Sequence, residues 1–151
     1  MHLSALRVQP MRDELTQVGF RELLTSADVD EFMREKTATA MLVINSVCGC
    51  AAGMARPGVR LALQESQRPD RLATVFAGQD LEATARARSY FPETPSSSPS
   101  IAFFKDGELV YFMPRNQIEG RDAEAIARDL QEVFNAHCAV SNADIVERVG
   151  M

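Results

Sequence analysis

The segment MLVINSVCGCAAG, residues 41–53, decides the fold because it places two cysteines where a buried strand passes into a helix. Residues 41–44 form a continuous β-favouring run without alternation, which is typical of a strand buried on both faces. The residues after the cysteines, 51–65, favour a helix. Pro57 and Gly58 predict a kink inside that helix, because proline removes a backbone donor and clashes with the preceding turn.

Helical and extended patterns alternate on either side of this segment. Residues 10–19 predict a short helix, with Pro10 in its first turn and a glycine after its end. A second helix begins near Ser26, with Ser26 or Asp28 as its N-cap and apolar residues at helical spacing behind it. The other predicted elements are a strand at 72–76, a helix at 81–90 capped by Asp80, a loop at 91–100, a hairpin with strands at 101–104 and 108–112, and a helix at 122–136.

The order of these elements predicts an α/β fold. A strand–helix–strand unit followed by an antiparallel hairpin and a covering helix gives one mixed sheet with helices on both faces. This is the thioredoxin-like arrangement, here extended at the N-terminus by helical material. A length of 151 residues is enough for one domain. We therefore expect a single domain over residues 1–151, with a core at about 10–138 and a C-terminal tail at 139–151.

Composition and charge exclude several classes of protein. The net charge is −5 and no block of Lys and Arg forms a phosphate footprint, so we expect no nucleic-acid partner. No stretch approaches the roughly 20 apolar residues of a membrane helix, so we expect no membrane association. Residues 1–7 lack the basic and apolar segments of a secretory signal. We therefore expect a cytoplasmic protein, in a compartment where close cysteines are catalytic or metal-binding.

The position of the cysteines indicates thiol–disulfide exchange. The thiolate attacks disulfides, so a reactive site must lower the pKa of one cysteine from about 8.5. A helix N-terminus does so through its unpaired N–H groups and its dipole. Cys48 stands at that point and is the predicted nucleophile, with Cys50 as the resolving thiol. Asn45 and Ser46, just before the cysteines, are expected to hold the loop by side-chain hydrogen bonds.

Other interpretations of the cysteines stay open. Both can pack as small hydrophobic residues in a core. By ligand type, Cys48, Cys50, His137 and Cys138 also form a plausible zinc set. Structural zinc sites usually separate paired cysteines by two to four residues, however, and the chain has no second pair, so we assign no metal ligand. A thiol-dependent interaction module is the third alternative.

Pro99 marks a second feature of the predicted site. It stands just before the strand at 101–104, where thioredoxin-like folds place a cis-proline loop that faces the dithiol. The backbone of Ser98 in that loop is then available to pair with an extended substrate. We predict a cis Ser98–Pro99 bond and assign Gly49, Ser98 and Pro99 to substrate binding. The alternative is an ordinary loop proline.

Residues 45–57, NSVCGCAAGMARP, resemble the signature of the bacilliredoxins, which are small thioredoxin-like proteins. The similarity extends over about residues 10–138, and the tail after Cys138 departs from it. Further matching segments are PMR at 10–12, ELT at 14–16, VFAGQD at 75–80, SSPS at 97–100, PR at 114–115, IEG at 118–120 and AHC at 136–138.

The resemblance implies a thioredoxin-like fold and an enzyme that reduces mixed disulfides between proteins and bacillithiol, a small cysteine-containing thiol. Family members are also regarded as disulfide isomerases. By this resemblance Cys48 attacks the mixed disulfide and takes the bacillithiol, which Cys50 or a second bacillithiol then releases. The implied partners are bacillithiolated or disulfide-containing proteins, a low-molecular-weight thiol as co-substrate and a recycling reductase, with no bound cofactor.

The spacing of the two cysteines predicts a disulfide that is easier to reduce than that of thioredoxin. With one residue between them, a bridge between Cys48 and Cys50 closes a small ring that departs from relaxed disulfide geometry, although Gly49 eases the backbone. Such a bridge is easily reduced, so we expect a potential less reducing than the about −270 mV of thioredoxin. Equilibration against glutathione measures it, and a value at or below that of thioredoxin contradicts the prediction.

Overall fold

The computed structural model describes residues 4–65 and 67–138, and within them it contains one five-stranded sheet flanked by helices. The strands are β1 (Arg21–Glu22), β2 (Thr39–Asn45), β3 (Arg71–Phe76), β4 (Ser100–Lys105) and β5 (Glu108–Met113). The helices are α1 (Ala5–Thr16), α2 (Ser26–Arg34), α3 (Arg56–Ala62), α4 (Leu81–Arg88) and α5 (Ala123–His137), with a π-helical turn at Ala51–Ala55 and a 3-10 turn at Arg115–Gln117.

The sheet is mixed, with the strand order β1-β3-β2-β4-β5. β2 is its central strand and pairs parallel with β3 and antiparallel with β4. The tight turn between β4 and β5 places Asp106 and Gly107 at positive φ, as a two-residue hairpin turn requires. The predicted fold class and the hairpin are therefore confirmed. Sequence reasoning missed β1, because a two-residue strand is too short to show a pattern.

β2 is buried along its whole length, as its uninterrupted apolar run predicted. Met41 and Val43 pack on one face of the sheet, in the cluster that includes residues of α3 and α5. Leu42 and Ile44 pack on the other face, with residues of α2 and α4. Full burial of a side chain of this size contributes about 1.5–3 kcal/mol. The strand that leads to the cysteines is thus held from both sides.

The helix after the cysteines is irregular where proline predicted a kink. A π-helical turn, Ala51–Ala55, comes first, and α3 follows from Arg56. Pro57 lies in the first turn of α3, where its missing N–H costs no bond within that helix. The helical segment ends at Ala62, before the predicted end at residue 65. The irregularity is therefore a change of helix type ahead of the proline.

Two predictions about the first helices are wrong. α1 begins at Ala5, so that Pro10 lies inside the helix and not in its first turn. Val8 is buried, and its packing stabilises the extra turns ahead of the proline. The N-cap of α2 is Thr25, whose side chain accepts a hydrogen bond from the N–H of Asp28 at 3.1 Å. Asp28 instead accepts from the backbone N–H of Leu24, a reciprocal arrangement that satisfies two donors.

The predicted capping role of Asp80 is also wrong. Asp80 stands before α4, but its side chain makes no capping bond. Its carboxylate instead accepts two hydrogen bonds from Arg12, at 2.8 and 3.0 Å. A bidentate charged pair is stronger than a single bond to a neutral N–H, which explains the preference. The pair attaches α1 to the end of the sheet where β3 finishes.

The expected tail at 139–151 and the N-terminal residues 1–3 lie outside the described residues. Within the described part of the chain, no helix is long and apolar enough to cross a membrane.

Gly58 allows α3 and α5 to approach closely. A Cβ at this position would lie 2.7 Å from Cγ2 of Ile126 and 3.2 Å from the carbonyl oxygen of Ala123, both in α5. Real Cβ atoms do not tolerate the shorter of these distances, so a side chain here forces the helices apart. The absence of a side chain at Gly58 is therefore a packing requirement.

We expect Gly58→Ala to lower the free energy of unfolding by about 1–3 kcal/mol, because it overpacks the contact between α3 and α5. Urea denaturation measures the change. Gly53→Ala is the matched control, since Gly53 is exposed and an added Cβ meets nothing within 4 Å. Equal stability of the two variants contradicts the prediction.

Candidate active site

The two cysteines lie where β2 is followed by a helical turn. The Cys48 carbonyl accepts hydrogen bonds from the N–H groups of Ala51 and Ala52, both at 3.1 Å. Cys48 therefore stands at the start of the turn, where free N–H groups and the helix dipole favour a thiolate. Cys48 is half-buried and Cys50 is buried, and both are free thiols. The predicted strand–helix junction is confirmed.

Neighbouring groups lower the pKa of the Cys48 thiol below its usual value. Partial burial is the largest single influence and opposes this shift, because it disfavours the charged form. A hydrogen bond with the Ser46 hydroxyl and two with the backbone groups of Ala51 and Cys50 outweigh the burial. The positive charge of Arg115 acts in the same direction. Cys48 thus holds more thiolate at neutral pH than a free cysteine does.

The pKa of the Cys50 thiol is raised. Burial is the main cause, and the nearby Cys48 adds to it because two negative charges repel each other. The charge of Arg115 acts the other way without reversing the shift. The opposite shifts leave Cys48 as the thiolate and Cys50 as the thiol that keeps its proton. They support the predicted order of attack, which stays a prediction.

The Ser98–Pro99 peptide bond is cis, which confirms the isomer predicted from the sequence. Ser100, the first residue of β4, pairs with Ile44 in β2. Because these strands are antiparallel, the residues before Ser100 lie beside those that follow Ile44 and lead to Cys48. The Ser98–Pro99 loop and the cysteines therefore lie at the same end of the sheet.

Arg115 is a site residue that sequence reasoning did not identify. Its backbone N–H donates to Oγ of Ser97 at 3.1 Å, and its guanidinium approaches the carbonyl oxygen of Ser98 at 3.5 Å. Its side chain is 42% exposed and lies 3.5 Å from the carboxylate of Glu119. The charges of the two thiols raise the pKa of Arg115. In the sequence, Arg115 stood out only as part of the segment PR at 114–115 that resembles the bacilliredoxins. That resemblance does not show that Arg115 lies near the cysteines.

Arg56 was also missed. Its side chain is 2% exposed, and its guanidinium donates to Oδ1 of Asn45, to the carbonyl of Ser46 and to the carboxylate of Glu14. Oδ1 of Asn45 also accepts the N–H of Ser46 at 2.8 Å. Oγ of Ser46 accepts the N–H of Cys48 at 3.2 Å. The expectation that Asn45 and Ser46 hold the loop by side-chain hydrogen bonds is therefore confirmed.

The four candidate zinc ligands are not brought together. Sγ of Cys138 lies 3.7 Å from Oγ1 of Thr39, the first residue of β2, whereas Cys48 follows the last. A seven-residue strand spans roughly 20 Å, which separates the thiols widely. The ring of His137 lies against Phe103. No cluster of three or more His, Cys, Asp or Glu in the described residues is placed to hold a metal ion.

Burial raises the pKa of the Cys138 thiol, although a hydrogen bond with Thr39 acts the other way. A buried thiol of raised pKa is a poor nucleophile. Cys138 therefore serves as an unreactive thiol against which the reactivity of Cys48 and Cys50 can be compared.

Comparison with known proteins identifies relatives over most of the chain. A family model described as disulphide isomerase matches residues 4–138. A bacilliredoxin of Halalkalibacterium halodurans is 53% identical over 131 residues, which cover 87% of this chain and 91% of that protein. A bacilliredoxin of Salinibacter ruber is 56% identical over 133 residues, which cover 87% of this chain and 78% of that protein.

Solved structures of low sequence identity show the same fold. Thioredoxin O2 from Arabidopsis thaliana in its oxidised state matches with a TM-score of 0.53 at 14% identity, over 78% of this chain and 96% of that one. Thioredoxin from Fasciola hepatica matches with a TM-score of 0.50 at 18% identity, over 78% of this chain and 99% of that one. The thioredoxin-like fold predicted from the sequence is confirmed.

We expect Arg115→Gln to raise the pKa of Cys48, because the variant removes a positive charge that favours the thiolate. A smaller fraction of Cys48 is then a thiolate at neutral pH, so alkylation by iodoacetamide slows by about two- to fourfold. The difference from the wild type should be smaller at high salt, because salt screens the charge of Arg115. The rate of alkylation as a function of pH measures the shift.

Arg121→Gln is the matched control, because it removes the same charge from a residue paired with Asp129, away from the cysteines. Its profile should equal that of the wild type. An Arg115→Gln profile that also equals the wild type contradicts the role of Arg115.

Proposed function

Because this chain belongs to the bacilliredoxin family of thiol–disulfide oxidoreductases, we propose that Cys48 and Cys50 form the dithiol through which it acts. The observation that carries the proposal is the position of two free thiols at the start of one helical turn, Cys48 half-buried and Cys50 buried. The opposite directions of their pKa shifts agree with this arrangement. Cys48 is prepared to attack as a thiolate. Cys50, separated from Cys48 by the single residue Gly49, keeps its proton until a mixed disulfide has formed on Cys48.

The proposed reaction removes bacillithiol from a protein cysteine. The Cys48 thiolate attacks the bacillithiol sulfur of the mixed disulfide, and the protein sulfur leaves as a thiolate that takes up a proton. Cys50 then loses its proton and attacks Sγ of Cys48. Bacillithiol leaves as a thiolate, and a Cys48–Cys50 disulfide remains. The dithiol has supplied two electrons, and a recycling reductase must return them.

A second bacillithiol provides another way to complete the cycle. Its thiolate attacks the bacillithiol sulfur on Cys48 and releases the Cys48 thiolate together with bacillithiol disulfide. In this second route free bacillithiol is a co-substrate, whereas in the first route bacillithiol is only a product. Neither route uses a resident cofactor. We propose that the reaction takes place in the cytoplasm, where thiols are kept reduced.

The same site supports disulfide isomerisation. After Cys48 attacks a protein disulfide, the raised pKa of Cys50 delays resolution of the mixed disulfide. The substrate then has time to attack its own mixed disulfide with another thiol and to change its pairing. Bacillithiolated proteins and proteins with incorrect disulfides are therefore both proposed substrates.

Gly49, Ser98 and Pro99 are proposed to receive the substrate. A Cβ added to Gly49 meets nothing within 4 Å, so there is open space beside the two thiols. The half-buried Ser98 lies at the same end of the sheet as Cys48, two residues before β4 begins. An extended substrate segment pairs with the backbone of Ser98 in the manner of an added strand.

The test is release of bacillithiol from a bacillithiolated protein, followed by mass spectrometry. Cys48→Ala should abolish release, because the attacking thiolate is gone. Cys50→Ala should accumulate bacillithiol on Cys48 when free bacillithiol is absent, because no resolving thiol remains.

Cys138→Ala is the matched control, since Cys138 is buried beyond the other end of β2, and it should release bacillithiol at the wild-type rate. Release by Cys48→Ala, or an adduct found on Cys50, contradicts the assigned roles. Equal release of glutathione from a glutathionylated substrate contradicts bacillithiol as the preferred thiol.

A further inference from the structure

Arg56 links helix α1 to the loop that carries Cys48. Its Nε donates to the carboxylate of Glu14, in α1, at 2.7 Å. Its Nη1 donates to Oδ1 of Asn45 at 2.9 Å and to the carbonyl oxygen of Ser46 at 2.7 Å. A guanidinium that is 2% exposed requires such partners, because an unpaired buried charge is very unfavourable.

Ser46 is held at both of its backbone groups by this arrangement. Its N–H donates to Oδ1 of Asn45 at 2.8 Å, and its carbonyl accepts from Arg56. These two bonds fix the backbone of Ser46, and a further bond from the N–H of Cys48 holds its hydroxyl beside that residue. Oγ lies 3.2 Å from the backbone nitrogen of Cys48 and also hydrogen-bonds to the thiol.

We propose that Arg56, held by Glu14, is a positioning residue that sets the reactivity of Cys48 by fixing Ser46. Arg56 does not touch the sulfur and acts through the Ser46 hydroxyl. The inference rests on the proposed role of Cys48 as the attacking thiol. It gives helix α1 a part in the active site, because α1 supplies the carboxylate that pairs with Arg56.

A further contact attaches α1 to the end of β2, directly before this loop. Nδ2 of Asn45 donates to the carbonyl oxygen of Met11 at 3.3 Å, so Asn45 bonds to α1 on one side and to Arg56 on the other. The amide of Asn45 thereby connects α1, Arg56 and Ser46 in one continuous set of hydrogen bonds.

Other groups act on Cys48 separately. The backbone of Cys50 and the charge of Arg115 lower the pKa of Cys48 directly, and Glu119 pairs with Arg115. In the part of the chain that the structure describes, none of these three groups forms a hydrogen bond or an ion pair with Arg56. An effect of Arg56 is therefore distinguishable from theirs.

The experiment compares the alkylation of Cys48 by iodoacetamide, as a function of pH, in Arg56→Lys, Arg56→Met and the wild type. Lysine keeps the charge but cannot reach three acceptors in the same planar geometry. If Arg56 positions Ser46, both variants should alkylate about tenfold more slowly at neutral pH, as expected for the loss of a hydrogen bond to a charged group. A wild-type profile for Arg56→Lys shows a pure charge effect and overturns the proposal.

A double-mutant cycle with Ser46→Ala tests the route of the effect. If Arg56 acts through Ser46, Arg56→Lys should cause no further slowing once the hydroxyl has been removed. Additive slowing in the double variant means that Arg56 acts on Cys48 by another route, which overturns the proposal.

Glu14→Gln keeps the test available if the Arg56 variants do not fold, since Glu14 is partly exposed at the surface. Glu14→Gln should also slow alkylation of Cys48, but by less than the Arg56 variants do, because the amide oxygen still accepts a hydrogen bond from Arg56. Asp80→Asn is the matched control, because it weakens another ion pair of α1, that of Arg12 with Asp80, without touching Ser46. Equal slowing in the two variants, or none in Glu14→Gln, overturns the proposal.

This readout is independent of the substrate. Alkylation reports on Cys48 alone, whereas release of bacillithiol reports on the proposed function. A failure of one therefore does not imply a failure of the other.

Discussion

The active site depends on the burial of β2 from both faces of the sheet. A strand with no exposed residue cannot shift its register without moving apolar side chains out of two separate clusters. Its last residue, Asn45, is therefore fixed in space, and so is the start of the helical turn three residues later. The position of Cys48 at the start of the helical turn follows from the packing of β2 into these two clusters, one of which also includes Cys50.

The chemistry of the site arises from unequal environments for two thiols of the same intrinsic reactivity. Cys48 receives hydrogen bonds that outweigh its partial burial, and Cys50 is buried without equivalent compensation. A single residue between the two cysteines is enough to give them different environments. The free N–H groups lie at the start of the turn, beside Cys48, and the apolar core begins at Cys50. Polar side chains around this point, above all the buried Arg56, are satisfied by groups from α1 and from the loop itself.

The sequence predicted the features that depend on local pattern. The apolar run of β2, the cysteines at its end, the hairpin and the position of Pro99 each occupy a short stretch, so each was predictable. The contacts of Arg56 and Arg115 were not, because a charged residue after a strand or inside a helix usually faces water. The partner of Arg56, Glu14, lies 42 residues earlier in the chain, and only the fold brings the two together. Asp80 failed as a predicted cap for the same reason, since its preferred partner, Arg12, is distant in sequence.

In this site we expect Cys48 to be the thiolate and Cys50 the protonated thiol. The most direct test is to alkylate the reduced wild-type protein over a range of pH and to locate the modified cysteine by mass spectrometry. We expect Cys48 to react first, with a pKa below the value of about 8.5 for a free cysteine, and Cys50 and Cys138 to react later. Modification of Cys50 before Cys48, or titration of Cys48 at or above the free value, contradicts this expectation.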